Sequence, residues 1–145
     1  MNVASELRVM ALPASTVRRD GWVGPAHPRA ESDWLPVVGP ACFVLWRQLA
    51  GGLVEAHGTM KLRARDLAAS VGMAPAVGSQ SGLTRSLRRL QRFGIIWRPV
   101  DDLVIVRCQL PLLDESRMQT LRPIIRRMQH ELHETGSPGE TGTTS

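Results

Sequence analysis

The sequence predicts a mainly α fold with a small β-hairpin, and three observations carry that expectation. Within SQSGLTRSLRRLQRF (79–93), Leu83, Leu87 and Leu90 recur at i, i+4 and i+7, the apolar stripe of an amphipathic helix. Met118, Leu121, Ile125, Met128 and Leu132 follow one another at alternating steps of three and four, a heptad seam. Ile95–Pro99 and Leu103–Leu110 are apolar and β-branched and flank Val100-Asp101-Asp102, which reads as a hairpin with a turn that its aspartates stabilise locally. With 145 residues and an apolar fraction of 43 %, the chain is expected to form one domain with a core of its own.

In chain order, residues 1–33 are expected to be an irregular N-terminal arm. Glu6–Leu12 reads either as a strand or as one helical turn, and Pro13, Gly21, Gly24, Pro25 and Pro28 then disfavour regular structure. Trp22 and Trp34 are costly to leave in water, so the arm is expected to lie on the body. The central domain is expected over 34–111. Its first helix is Trp34–Gly52, with Pro40 in the first turn, Phe43, Val44, Trp46, Leu49 and Ala50 inward, and Gly51-Gly52 as the stop. Thr59–Leu62 is a short strand. Arg63–Val71 is a second helix with Asp66 in its first turn and Gly72 at its end. After a loop at Met73–Gly78 comes the leucine-striped helix, N-capped by Ser79 or Ser81 and stopped by Gly94. Residues 112–134 are expected to be helical, with Pro123 forcing either a kink or a fresh start capped by Thr120. Residues 135–145 (TGSPGETGTTS) form a polar, disordered tail.

The charge is uneven. Of 18 basic and 13 acidic residues, Lys61–Arg98 holds eight basic residues and one acid, Asp66, for a balance of +7. The remainder, with ten basic and twelve acidic, is −2. On the 79–93 helix Arg85, Arg88, Arg89 and Arg92 lie opposite the leucines, at about 100° per residue, and no acid stands between Ser79 and Val100 to pair with them. This is either a solvated helix face or the footprint of a polyanion-binding surface. Seventeen of the cations are arginine, which binds phosphate or guanine bidentately where lysine cannot, although genome composition also favours arginine.

Several functions find no support. His130 and His133 in HELHE stand at i and i+3, not in the HExxH pattern of a metalloprotease. Cys42, His57 and Cys108 lack ligand-pair spacing, and the two cysteines read as buried small hydrophobes, not a disulfide. The glycines before Leu83 are not followed by Gly-Lys-Ser/Thr, so no phosphate-binding loop is indicated. No cofactor, metal or catalytic constellation is therefore expected. No apolar run reaches membrane-spanning length and the N-terminus lacks a signal pattern, so a cytoplasmic protein without a membrane partner is expected.

The order helix, strand, helix, helix, hairpin, helix resembles the winged helix-turn-helix family of bacterial transcriptional regulators. RDLAASVG at Arg65–Gly72 and LTRSLRRLQRFGII at Leu83–Ile96 carry the resemblance, which spans roughly residues 36–110. They look like a support helix ending in Gly, then a recognition helix leading into Gly-Ile-Ile and a wing. The Gly72–Leu83 link is longer than the family's compact turn, and Asp101 and Asp102 at the wing tip would repel phosphate. The resemblance implies that Leu83, Leu87 and Leu90 dock the recognition helix. It implies base contacts from Thr84, Arg85 and Arg88, with Ser81 beside them. Phosphate contacts would come from Lys61, Arg63, Arg65, Arg89, Arg92 and Arg98.

The expected function is thus a sequence-specific double-stranded DNA-binding transcriptional regulator. It would be a homodimer through Met118, Leu121, Ile125, Met128 and Leu132, unless that seam packs within the monomer. The alternative is a winged-helix protein–protein module in a replication, partition or conjugation complex. No effector pocket can be read from the sequence.

Overall fold

The residues Glu6–Ala11 alternate in polarity, and in the computed structural model, which describes residues 4–15, 18–75, 81–113 and 121–136, they form strand β1. Leu7, Val9 and Ala11 are buried and Glu6, Arg8 and Met10 exposed. A 3-10 turn at Pro13–Ser15 and a short strand β2 (Trp22–Val23) follow. Two helices come next, α1 (Pro28–Val38) and α2 (Pro40–Glu55), then β3 (Thr59–Arg63), α3 (Ala64–Ser70) and α4 (Gly82–Arg92). Strands β4 (Ile96–Val100), β5 (Leu103–Val106) and β6 (Leu110–Pro111) precede the last helix, α5 (Leu121–Gly136).

The fold is mixed α/β, not mainly α. A four-stranded sheet runs in the order β3-β1-β5-β4, and β2 and β6 make a second, two-stranded sheet. The expected hairpin exists, as β4 and β5, but it is half of a larger sheet. β1 stands between β3 and β5, antiparallel to the first (Leu7 opposite Leu62) and parallel to the second (Arg8 opposite Leu103). The N-terminal arm is therefore no irregular appendage. It supplies an interior strand, whose backbone groups pair with β3 on one side and β5 on the other.

Two further boundaries differ. The first helix is two helices, which meet at Gly39, whose φ of 89° is open to glycine but strained for other residues. Pro40 takes the first position of α2 as expected, and α2 runs past Gly51 and Gly52 to Glu55.

One face of the sheet carries the main core. Leu7 and Val9 of β1 and Val104 and Val106 of β5 meet Trp34, Phe43, Trp46, Leu67, Leu83, Leu87 and Leu90. Both interior tryptophans find acceptors, Trp34 Nε1 donating to Pro111 O at 2.8 Å and Trp46 Nε1 to Arg107 O at 2.7 Å. The other face is covered in part by α5. Leu103 and Ile105 of β5 join Leu12 and Leu132 in a smaller cluster, with Trp97 against it. All four residues of β5 are buried because it has a helical layer on each side.

The heptad seam is used inside the monomer. Met128 and Leu132 are each 1 % exposed, in the main core and the smaller cluster respectively, and Leu121 packs against the main core. Ile125 is half-buried, and Met118 lies outside the described residues, as do residues 137–145 of the expected tail. Among its described residues, the seam thus buries Met128 and Leu132 within the monomer and leaves Leu121 and Ile125 half-buried. Its ligand within the chain is the turn between α4 and β4. A Cβ on Gly94 would fall 2.7 Å from the backbone nitrogen of Gln129, so glycine is what lets α5 approach this closely.

Candidate nucleic-acid interface

Helix α4 begins where Ser81 caps it. Ser81 Oγ accepts from the Thr84 backbone N–H at 3.1 Å and lies 2.9 Å from Thr84 Oγ1. Ser79, the other cap considered, lies outside the described residues. Leu83, Leu87 and Leu90 are fully buried, and each contributes about 1.5–3 kcal/mol by leaving water. The buried face is wider than the leucine stripe. Thr84 has no exposed surface and Ser86 only 8 %. Thr84 is therefore not placed to read bases, and Ser81 is occupied as the cap.

Arg85, Arg88, Arg89 and Arg92 are exposed, and among the described residues none of them pairs with a carboxylate. They form two rows at i, i+4. Arg85 and Arg89 border the α1–α2 corner, where Arg89 Nε donates to Val38 O at 2.9 Å and its guanidinium lies 5.5 Å from the Phe93 ring centroid. Arg88 and Arg92 border a groove of about 550 Å³ between α4 and α5.

That groove has a second basic wall. Arg126 of α5 lines it with His130 and His133, and Trp97 of β4 forms part of it. The Trp97 ring lies 4.3 Å from that of His133, at 57°. His130 Nε2 is 2.9 Å from Glu134 Oε1, so one acid tempers that end. Gln129 Nε2 donates to Arg92 O, tying the two walls.

The wall is fixed from beneath by Arg107, which has no exposed surface. Its Nε donates to Gly94 O at 3.2 Å, Nη2 to Met128 O at 2.8 Å and Nη1 to Glu131 Oε2 at 3.1 Å. Burial, with a smaller push from the Arg19 charge, lowers the Arg107 pKa, and the hydrogen bond and charge of Glu131 oppose that shift in part. Glu131 also lies 3.7 Å from Arg19 Nη1. A single carboxylate of α5 thus holds two arginines from distant parts of the chain.

The other expected phosphate contacts do not join this surface as a group. Lys61 and Arg63 are exposed on β3, on the side opposite Met60 and Leu62 and beside Arg8 and Glu6, at the sheet edge remote from β4. Arg65 is exposed on α3. Arg98 is 5 % exposed, its Nη2 donating to Asp101 O at 3.4 Å, and burial pushes its pKa down, with Asp101 opposing. It is not placed to reach phosphate. At the hairpin tip, Asp102 pairs with Arg8 at 3.1 Å, and that hydrogen bond holds its carboxyl below the usual range.

Arg126 and Arg107 escaped the sequence reading. Arg126 lies 34 residues beyond Arg92, and only the docking of α5 brings the two together. Arg107 sits in the apolar run LVIVRCQL, which signals burial of the charge but not its partners. Among the described residues no three His, Cys, Asp or Glu side chains gather as a metal site. Cys42 and Cys108 are free and buried, with burial pushing both thiols up. Among the described residues, no helix is long and apolar enough to cross a membrane. Compared with protein-family models, with curated proteins and with solved structures, the chain matches none.

Proposed function

We propose that this chain binds double-stranded DNA through α4 and the adjoining wall of α5, and regulates transcription by occupying its site. The observation that carries the reading is the array Arg85, Arg88, Arg89 and Arg92 on one exposed helix side with no carboxylate partner among the described residues, continued across the groove by Arg126. A guanidinium array without carboxylate partners suits phosphate and base edges, where each cation releases condensed counterions. Helix α4 has 11 residues, about 16 Å of rise at about 1.5 Å per residue, and a helix of this length fits the major groove.

Roles follow from position along the helix. Arg85 and Arg88, nearer the N-terminus, are assigned to base edges, and Arg89, Arg92 and Arg126 to phosphates. The chain order α2, β3, α3, α4, β4, β5 supports a winged helix-turn-helix reading, and β1 lies between β3 and the hairpin in the sheet. The hairpin tip takes no DNA contact here, since Asp102 is engaged with Arg8.

The test is a fluorescence-anisotropy titration against duplex from the chain's own upstream region and against random duplex, over a salt series. Tighter binding to one duplex, with both weakening as salt rises, is the expected result. Equal affinity for both would remove the sequence-specific part. No binding to either at low salt would overturn the DNA reading and favour an acidic protein partner.

A further inference from the structure

A cavity of about 870 Å³ lies away from the arginine helix, between β2, the loop that follows it and the end of α2. Its floor is apolar, with Ala11, Val23, Leu53 and Cys108 among the lining residues, all buried or nearly so. Its rim is cationic. Arg18 and Arg19 border it, and Asp20 is the sole carboxylate among its described lining residues. Arg18 is exposed and has no ion pair among the described residues. Arg19 lies over the indole of Trp22, 4.0 Å from the ring centroid.

His27 adds a donor to the lining. The backbone N–H of Arg29 donates to His27 Nδ1 at 3.1 Å, so the neutral His27 ring carries its proton on Nε2 and offers a donor there. An apolar floor, an indole and a rim of two guanidiniums with a neighbouring N–H together suit an amphipathic anion. The volume lies within the range of small-molecule sites.

The structure assigns this cleft to a small organic acid with a planar apolar body, its carboxylate held by Arg18 and its ring lying on the apolar floor beside the Arg19–Trp22 stack. The site is separate from the α4–α5 groove and does not depend on DNA binding.

The probe is 2-naphthoate, titrated calorimetrically into the full chain, with 2-naphthylmethylamine as the cationic counterpart. Naphthoate is expected to bind one to one, and the amine not to saturate. Arg18→Glu reverses the rim charge without touching the Arg19–Glu131 pair, and Val54→Trp fills the cleft from a side chain that is 62 % exposed. Each is expected to weaken naphthoate at least about tenfold, that is by about 1.4 kcal/mol. Arg126→Glu, in the other groove, is expected to leave it unchanged. Circular-dichroism melts check that each variant folds, and Arg18→Glu, a surface change, decides the matter if Val54→Trp does not. No saturable binding, equal binding of acid and amine, or loss of binding in Arg126→Glu with none in Arg18→Glu would each overturn the assignment.

Discussion

Arg107 and Arg88 carry the same guanidinium and meet opposite surroundings. Arg107 is enclosed, with one carboxylate and two carbonyls accepting from it, and its charge serves to hold α5 against the sheet. Arg88 is exposed on α4 with no carboxylate partner among the described residues. A buried cation must be fully satisfied or it destabilises the fold, so its partners are internal and fixed. An exposed, uncompensated one keeps its donors for a ligand. Charge alone therefore does not mark a binding site, and the acceptors within reach decide which arginines build the wall and which line it.

The sharpest way to break this contrast is Arg107→Ala. It strands the carbonyls of Gly94 and Met128 and removes a partner of Glu131, and a loss of about 3–5 kcal/mol is expected in urea unfolding. A loss below about 1 kcal/mol would mean that Met128 and Leu132 hold α5 without the cation. Gly94→Ala tests the same docking from the backbone. At φ 74°, with the new Cβ 2.7 Å from Gln129 N, it is expected to cost about 1–3 kcal/mol and to shift the amide resonances of α5. Unchanged resonances would refute the close approach.

On the exposed side, Arg88→Ala is expected to cost about 1–3 kcal/mol at the preferred duplex and to relax specificity, whereas Arg126→Ala weakens all duplexes alike and lowers the salt slope by about one. Neither change should alter stability by more than about 0.5 kcal/mol. Lys61→Ala, at the sheet edge opposite β4, is expected to affect DNA binding less than either. Equal effects of all three would dissolve the division between wall, groove and periphery.

The smallest effect belongs to Asp102. Its carboxyl is held low in the folded state by Arg8, so its contribution is present above the ordinary carboxylate pKa of about 3.9 and lost as pH falls through the lower folded value. The wild type is expected to melt slightly above Asp102→Asn at neutral pH, with the gap closing in acid. A gap that persists in acid would show that the ionised carboxylate is not its source.

Much of the local structure is legible in the residues. The Leu83–Leu87–Leu90 spacing, the Ser81 cap and the Gly94 stop define α4, and Asp101-Asp102 mark the turn between β4 and β5. The alternation of ELRVMA contained β1, but a short strand carries no sign of its neighbours, and so the mixed sheet was not legible. The same limit hid Thr84. A helix repeat shows which residues lie opposite the leucines, while the width of the buried face depends on what packs against it.

By itself, then, the sequence determined the helix of arginines, the absence of acids beside it and the cap and turns that bound α4 and the β4–β5 hairpin, because these depend on residues a few positions apart. Tertiary structure alone decided that the N-terminal strand enters the sheet, that Met128 and Leu132 of the heptad seam are buried within the monomer, and that Arg126 and Arg92 line one groove. Those outcomes depend on which distant apolar faces and buried charges find one another, and periodicity specifies that a face must be covered without specifying by what.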